Sequence, residues 1–81
     1  MRVTVTETIE HSADITAEMV EAYLARHGWD RTGNGWSKGY RAVGWPGGRR
    51  DAFAVRLVIR AIAALEDRVP DEVLADIASG R

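Results

Sequence analysis

The sequence predicts a small α+β domain in the order β-α-β-β-α-α, with a three-stranded antiparallel sheet packed against a central hydrophobic helix. Three observations carry that expectation. Asp51 to Leu65 is apolar almost all the way round a helical wheel, leaving a thin stripe of Arg56, Arg60 and, just beyond, Asp67, so it needs cover on two opposite faces. Asn34-Gly35, inside a run rich in glycine and aromatic residues, is the strongest short hairpin signal, because both central positions of a type I′ turn need positive φ. Arg2 to Glu10 set Val3, Val5 and Ile9 at period-two spacing among threonines and glutamates, the pattern of a strand with one buried face.

Local signals justify each element in turn. After the polar loop His11–Asp14, Thr16 is a good N-cap, Glu18 sits in the positively polarised first turn, and Ile15 can meet Val20 as a hydrophobic staple. Val20, Tyr23, Leu24 and His27 then form one apolar stripe, and Gly28 follows as a stop, giving a helix over about residues 17 to 27. With Asn34-Gly35 as the turn, Gly33 pairs with Trp36, Arg31 with Lys38 and Trp29 with Tyr40, which puts Trp29, Arg31, Trp36, Lys38 and Tyr40 on one face. Trp45-Pro46-Gly47-Gly48-Arg49-Arg50 reads as a loop, and Asp51 caps the central helix, which runs to about Asp67. Pro70 opens a short terminal helix with Asp71 and Glu72 in its first turn, Val73, Leu74 and Ile77 as its stripe, and Gly80 as its stop.

Eighty-one residues are one domain's worth, and the whole chain, 1–81, is expected to fold as a single unit. Hydrophobic residues at 46% and charged ones at 28% are ordinary for a folded domain, and the net charge of −1 gives no general attraction for nucleic acid. The absence of cysteine removes disulfides, thiolate chemistry and sulfur-ligated zinc together. No run reaches the roughly 18 apolar residues of a membrane span, and the alternating N-terminus does not build a signal-peptide core, so a cytoplasmic location is expected. Among the eleven basic side chains Lys38 is the single lysine, a bias that points to a GC-rich bacterial or phage genome.

Nothing in the chain assembles into a catalytic, cofactor or metal site. His11, Ser12 and Asp14 have the residue types of a hydrolase triad, yet near neighbours on one loop point in different directions. His11 with Glu7 and Glu10 falls short of a usual ligand set, and His27 fits a helix C-terminus, where its charge meets the dipole. Surfaces are what remain. The rings and cations of the hairpin face suit base stacking and phosphate neutralisation, although tryptophans in so small a protein also serve as core. Gly47-Gly48-Arg49-Arg50 has the physics of an anion-binding turn, but the Asp51 carboxylate occupies the amides that an anion would use. Arg56 and Arg60 repel mildly unless carboxylates face them, from Glu18 and Glu21, from Asp71 and Glu72, or from an acidic partner protein.

The run Leu24-Ala25-Arg26-His27-Gly28-Trp29, followed by a glycine-containing hairpin and a helix, resembles the HicA-type toxins, small RNA-cleaving proteins with a double-stranded-RNA-binding-like fold. The likeness covers about residues 19 to 60. Where that family carries Gly-Ser-His with its catalytic histidine, this chain has Gly35-Trp36-Ser37-Lys38, so the likeness implies topology without the cleavage chemistry.

The expected function is therefore that of a non-catalytic interaction domain occupying a surface on a partner protein, in the manner of a bacterial or phage-borne regulator or inhibitor. The alternative is a nucleic-acid-binding module that uses the aromatic and basic hairpin. Candidate contact residues are Trp29, Arg31, Trp36, Lys38, Tyr40, Arg49, Arg50, Arg56 and Arg60. No membrane partner is expected. A two-fold homodimer is, because Val55, Leu57, Val58, Ile59, Ile62 and Leu65 exceed what a three-stranded sheet can bury.

Overall fold

The computed structural model describes residues 15–81. The strand expected over residues 2–10, and the group His11, Ser12 and Asp14 with Glu7 and Glu10, lie outside them. Helix α1, Ala17–Arg26, starts where the sequence places it: the Thr16 hydroxyl accepts from the Met19 amide at 3.2 Å, and Ile15 and Val20 are both buried beside this cap. It ends in a Schellman motif. Gly28 takes φ 85, its amide reaches the Ala25 carbonyl, and the Trp29 amide bonds the Leu24 carbonyl at 3.0 Å, which folds Trp29 back into the core.

Strands β1, Asp30–Thr32, β2, Gly35–Lys38, and β3, Arg41–Gly44, form the three-stranded antiparallel sheet in the order β1-β2-β3. All three strands are consecutive in sequence, so Arg41–Gly44 completes a sheet of which the hairpin pattern accounts for two strands. The register also differs from the one expected. Thr32 faces Gly35 and Arg31 faces Trp36, so the turn is Gly33-Asn34, not Asn34-Gly35, and Lys38 pairs with Arg41 across a second turn at Gly39-Tyr40. Gly33 (φ 57) and Gly39 (φ 62) supply a positive φ at the first turn position, as in a II′ hairpin, while Asn34 stays out of the left-handed region. Gly35 matters for another reason. A β-carbon there would lie 2.6 Å from the Val43 carbonyl oxygen, so its place in the central strand depends on close backbone approach and not on positive φ.

A single 3₁₀ turn, Pro46–Gly48, leads to helix α2, Ala52–Leu65, capped by Asp51, whose carboxylate accepts from the Ala54 amide at 2.9 Å. The helix stops at Leu65, short of the expected Asp67, because Asp67 enters the left-handed region (φ 55) and the Arg68 amide closes on the Ala63 carbonyl at 2.9 Å. Helix α3, Pro70–Ser79, begins with proline in its first turn and ends at left-handed Gly80, as the sequence predicts.

Helix α2 packs on β3, α1 and α3, and α1 in turn packs on α3 and β1, so all elements share one core. Trp36 and Val43, opposite each other on β2 and β3, face that core, whereas Ser37 and Ala42 share the other face of the sheet. The side of α2 away from the sheet is largely covered by α1 and α3. Val55, Val58, Ile59 and Ile62 are each no more than 4% exposed within one copy of the chain, which removes most of the apolar surface on which the expected dimer rested.

Candidate functional site

Two polar networks decide which of the candidate residues remain available. The first centres on Glu21 of α1. Its Oε2 accepts from the indole N–H groups of Trp45 at 3.0 Å and Trp36 at 3.3 Å, and the Arg50 guanidinium donates to both carboxylate oxygens, at 3.1 and 2.9 Å. Arg50 also lies over the Trp45 ring, 5.0 Å from its centroid, and Glu18 stands 3.7 Å from it. The hydrogen-bonded guanidinium, helped by the two indoles and opposed by burial, holds the Glu21 carboxyl down at about 2.

The second network ties α1, the end of α2 and α3. The Tyr23 hydroxyl donates to Glu66 at 2.8 Å, and Arg68 donates to Tyr23 at 3.2 Å and to Asp76 at 2.7 Å, with Glu72 3.7 Å away. Burial, reinforced by the Glu66 carboxylate, pushes the Tyr23 hydroxyl up to about 12, and the Arg68 guanidinium keeps the Asp76 carboxyl below its ordinary value. His27, expected to serve the helix terminus, caps α1, stacks on Tyr23 with ring centroids 4.1 Å apart, and hydrogen-bonds the Arg81 carbonyl at 2.9 Å.

These contacts take apart the expected hairpin surface. Trp29 and Trp36 are buried in the core, so neither ring is open to a base. Lys38 donates to the His27 carbonyl at 2.6 Å, closing over the end of α1. Arg31 and Tyr40 are exposed, and Tyr40, at the tip of the second turn, is the exposed aromatic residue of the sheet. Of the loop arginines, Arg50 is held by Glu21 and Arg49 pairs with Asp51, while the Asp51 carboxylate keeps the Ala54 amide, as its role as N-cap requires. The Ala54 amide of this helix start is thus already taken by the cap.

What remains open is the outward face of α2. Phe53, Arg56, Leu57, Arg60 and Ala64 recur at i, i+3, i+4, i+7 and i+11 and are all exposed. Phe53 is 52% and Leu57 38% exposed, and with Arg56 and Arg60 they line a shallow hollow. Arg49 extends the basic character past the helix start, with its guanidinium 5.7 Å from the centroid of the Phe53 ring. Arg56 and Arg60 have no ion-pair partner among the described residues: Glu18 and Glu21 face Arg50, and Glu72 faces Arg68. Of the internal carboxylates expected for the two arginines, Glu18, Glu21 and Glu72 are therefore committed elsewhere, and Asp71 forms no ion pair with either arginine.

Phe53 and Leu57 do not read as surface residues from the sequence, where only a thin stripe of Arg56, Arg60 and Asp67 interrupts the apolar surface of the central helix. A signal existed, since both lie within roughly 60° of Arg56 or Arg60 on the wheel, and those two arginines mark the exposed side. Among the described residues no group of three His, Asp or Glu side chains comes together as a metal site, and no helix is long and apolar enough to cross a membrane. No family model, curated protein or solved structure matches this chain.

Proposed function

We propose that the chain is a non-catalytic protein-interaction domain that acts by occupying a surface on a partner protein, with the outward face of α2 as its contact surface. One observation carries this reading: Phe53 and Leu57 stand in solvent beside Arg56 and Arg60, which are unpaired among the described residues, on a helix otherwise committed to the core. Arginine and aromatic residues at the centre of a patch are the usual anchors of protein interfaces. A bacterial or phage-borne regulator or inhibitor works this way, by covering a surface and not by turning over a substrate.

The test is capture from host lysate by immobilised protein, compared with Leu57→Glu at matched thermal stability. A discrete protein retained by the parent, lost with the variant and rebound after purification supports the reading. Retention that ignores Leu57→Glu refutes it.

The nucleic-acid alternative keeps one favourable observation, the fully exposed Tyr40 next to the exposed Arg41 and on the same sheet as Arg31. A labelled oligonucleotide bound in a salt-dependent way, and released by Tyr40→Ala but not by Leu57→Glu, would favour it.

A further inference from the structure

We infer that the outward face of α2 takes an acidic amphipathic helix, one whose carboxylates meet Arg56 and Arg60 while its apolar residues cover Phe53 and Leu57. The inference rests on the interaction reading above and adds the chemistry of the occupant.

Spacing supplies the first part of the argument. Phe53 and Leu57 are one i, i+4 pair and Arg56 and Arg60 another, so the face carries an apolar row and a basic row side by side, each with a repeat of roughly 6 Å. A helix with apolar residues at i and i+4 and carboxylates at adjoining i+1 and i+5 positions presents the same two rows at the same pitch. Rows of this kind interdigitate when two helices cross.

Charge supplies the second part. The carboxylates that approach arginines in this fold serve Arg49, Arg50, Arg68 and Arg81, and none reaches Arg56 or Arg60 among the described residues. A second copy is a poor occupant, because a two-fold axis on this face sets Arg56 and Arg60 against their own counterparts. Nucleic acid would satisfy the arginines but leaves Phe53 and Leu57 without apolar cover, since the hollow has no second ring to sandwich a base. An acidic helix satisfies both rows.

The test uses a fluorescein-labelled synthetic peptide of about 18 residues, long enough to form a helix on binding, with leucines at i, i+4 and i+8 and glutamates beside them on the same face. A scrambled peptide of the same composition, a lysine-for-glutamate version and a labelled single-stranded oligonucleotide are measured beside it by fluorescence anisotropy. The expected result is binding of the glutamate peptide at least about tenfold tighter than of either control peptide, weakening with salt. The double variant Arg56→Glu/Arg60→Glu then reverses the preference toward the lysine peptide, and Phe53→Ala/Leu57→Ala weakens both. All four positions are exposed; should the double charge variant fail to fold, Arg60→Glu alone must shift the preference in the same direction.

Equal binding of ordered and scrambled peptides, no reversal, or no saturation by about 1 mM overturns the inference, as does displacement of the peptide by the oligonucleotide. If light scattering shows a second copy on this face instead, lost on Leu57→Glu, the inference also falls. Failure here with Leu57-dependent capture of a host protein intact rejects the acidic helix and leaves the interaction reading standing. Failure of both rejects both.

Discussion

Replacing Glu21 with glutamine removes the charge at the point where α1, β2, the loop after β3 and Arg50 meet. The glutamate accepts two indole N–H bonds and a two-pronged contact from Arg50, all on two oxygens. An amide keeps a single acceptor oxygen, which in the Oε2 position still takes both indoles, but it turns an N–H₂ group toward the Arg50 guanidinium, so the two-pronged charged contact is lost. Losing the ionised acceptor of this half-buried cluster costs roughly 1–3 kcal/mol. Arg50 is exposed, so solvent screening leaves its own lost pairing a minor addition. A loss of roughly 1–3 kcal/mol corresponds in a domain of this size to a fall in Tm of about 4–24 °C.

Thermal melts followed by circular dichroism and by tryptophan fluorescence measure it directly. Protonation of the wild type reaches the same end by another route. The Glu21 carboxyl titrates at about 2 in the folded protein against an ordinary 4.5, so its stabilisation is present above pH 4.5 and is lost as pH falls from there toward 2. The stability gap between wild type and Glu21→Gln should therefore be widest near neutrality and narrow through that window. Coincident melts at pH 7, or a gap that stays constant between pH 5 and pH 2, would refute the account of Glu21 as the carboxylate that locks both tryptophans.

Two further substitutions test the backbone. Gly35→Ala should destabilise by roughly 1–3 kcal/mol, because its β-carbon meets the Val43 carbonyl oxygen within the ladder, whereas Gly33→Ala, in open space at φ 57, should lose only about 1 kcal/mol. Melts in the opposite order would return the turn to Asn34-Gly35. Asp67→Gly should raise stability by up to about 1 kcal/mol, since Asp67 is exposed and holds the left-handed position at the end of α2 against its own β-carbon; an unchanged or lower Tm argues that its side chain contributes something the geometry does not reveal.

The helix starts, and the ends of α1 and α3, were legible because they are local. Thr16, Asp51, Pro70, Gly28 and Gly80 each act on amides or carbonyls within a turn of themselves, and each acts as its chemistry requires. The hairpin register was not legible, because Gly33-Asn34-Gly35 contains two overlapping two-residue turns, Gly33-Asn34 and Asn34-Gly35, that local preference alone does not separate. The adopted choice places Trp36 opposite Val43 and lets its indole reach Glu21, a partner on α1 that no pattern within the hairpin announces. The same distant carboxylate explains why a surface of mixed rings and cations became core: Trp36 and Trp45 share Glu21, and Arg50 covers it. Periodicity located the central helix but overstated its cover, since a wheel does not tell an exposed leucine from a buried one until neighbouring elements are placed.

Both polar networks bear on how the open face of α2 can bind. At its start, the helix is held by the Asp51 cap, with Arg50 pinned to α1 through Glu21; at its end, Glu66 and Arg68 join it to Tyr23 of α1 and Asp76 of α3. Between these anchors Val55, Val58, Ile59 and Ile62 fix the inward side in the core. The backbone beneath Phe53, Arg56, Leu57 and Arg60 is therefore already in place before a partner arrives, and binding has to order only the side chains, at roughly 0.5–1.5 kcal/mol for each flexible one. The networks that fix the helix engage Glu21, Glu66 and Asp76, and none of these carboxylates reaches Arg56 or Arg60. A Glu21 variant should accordingly weaken binding at α2 less than it weakens the fold, because the contact residues are anchored by the core beneath them and not by Glu21 itself.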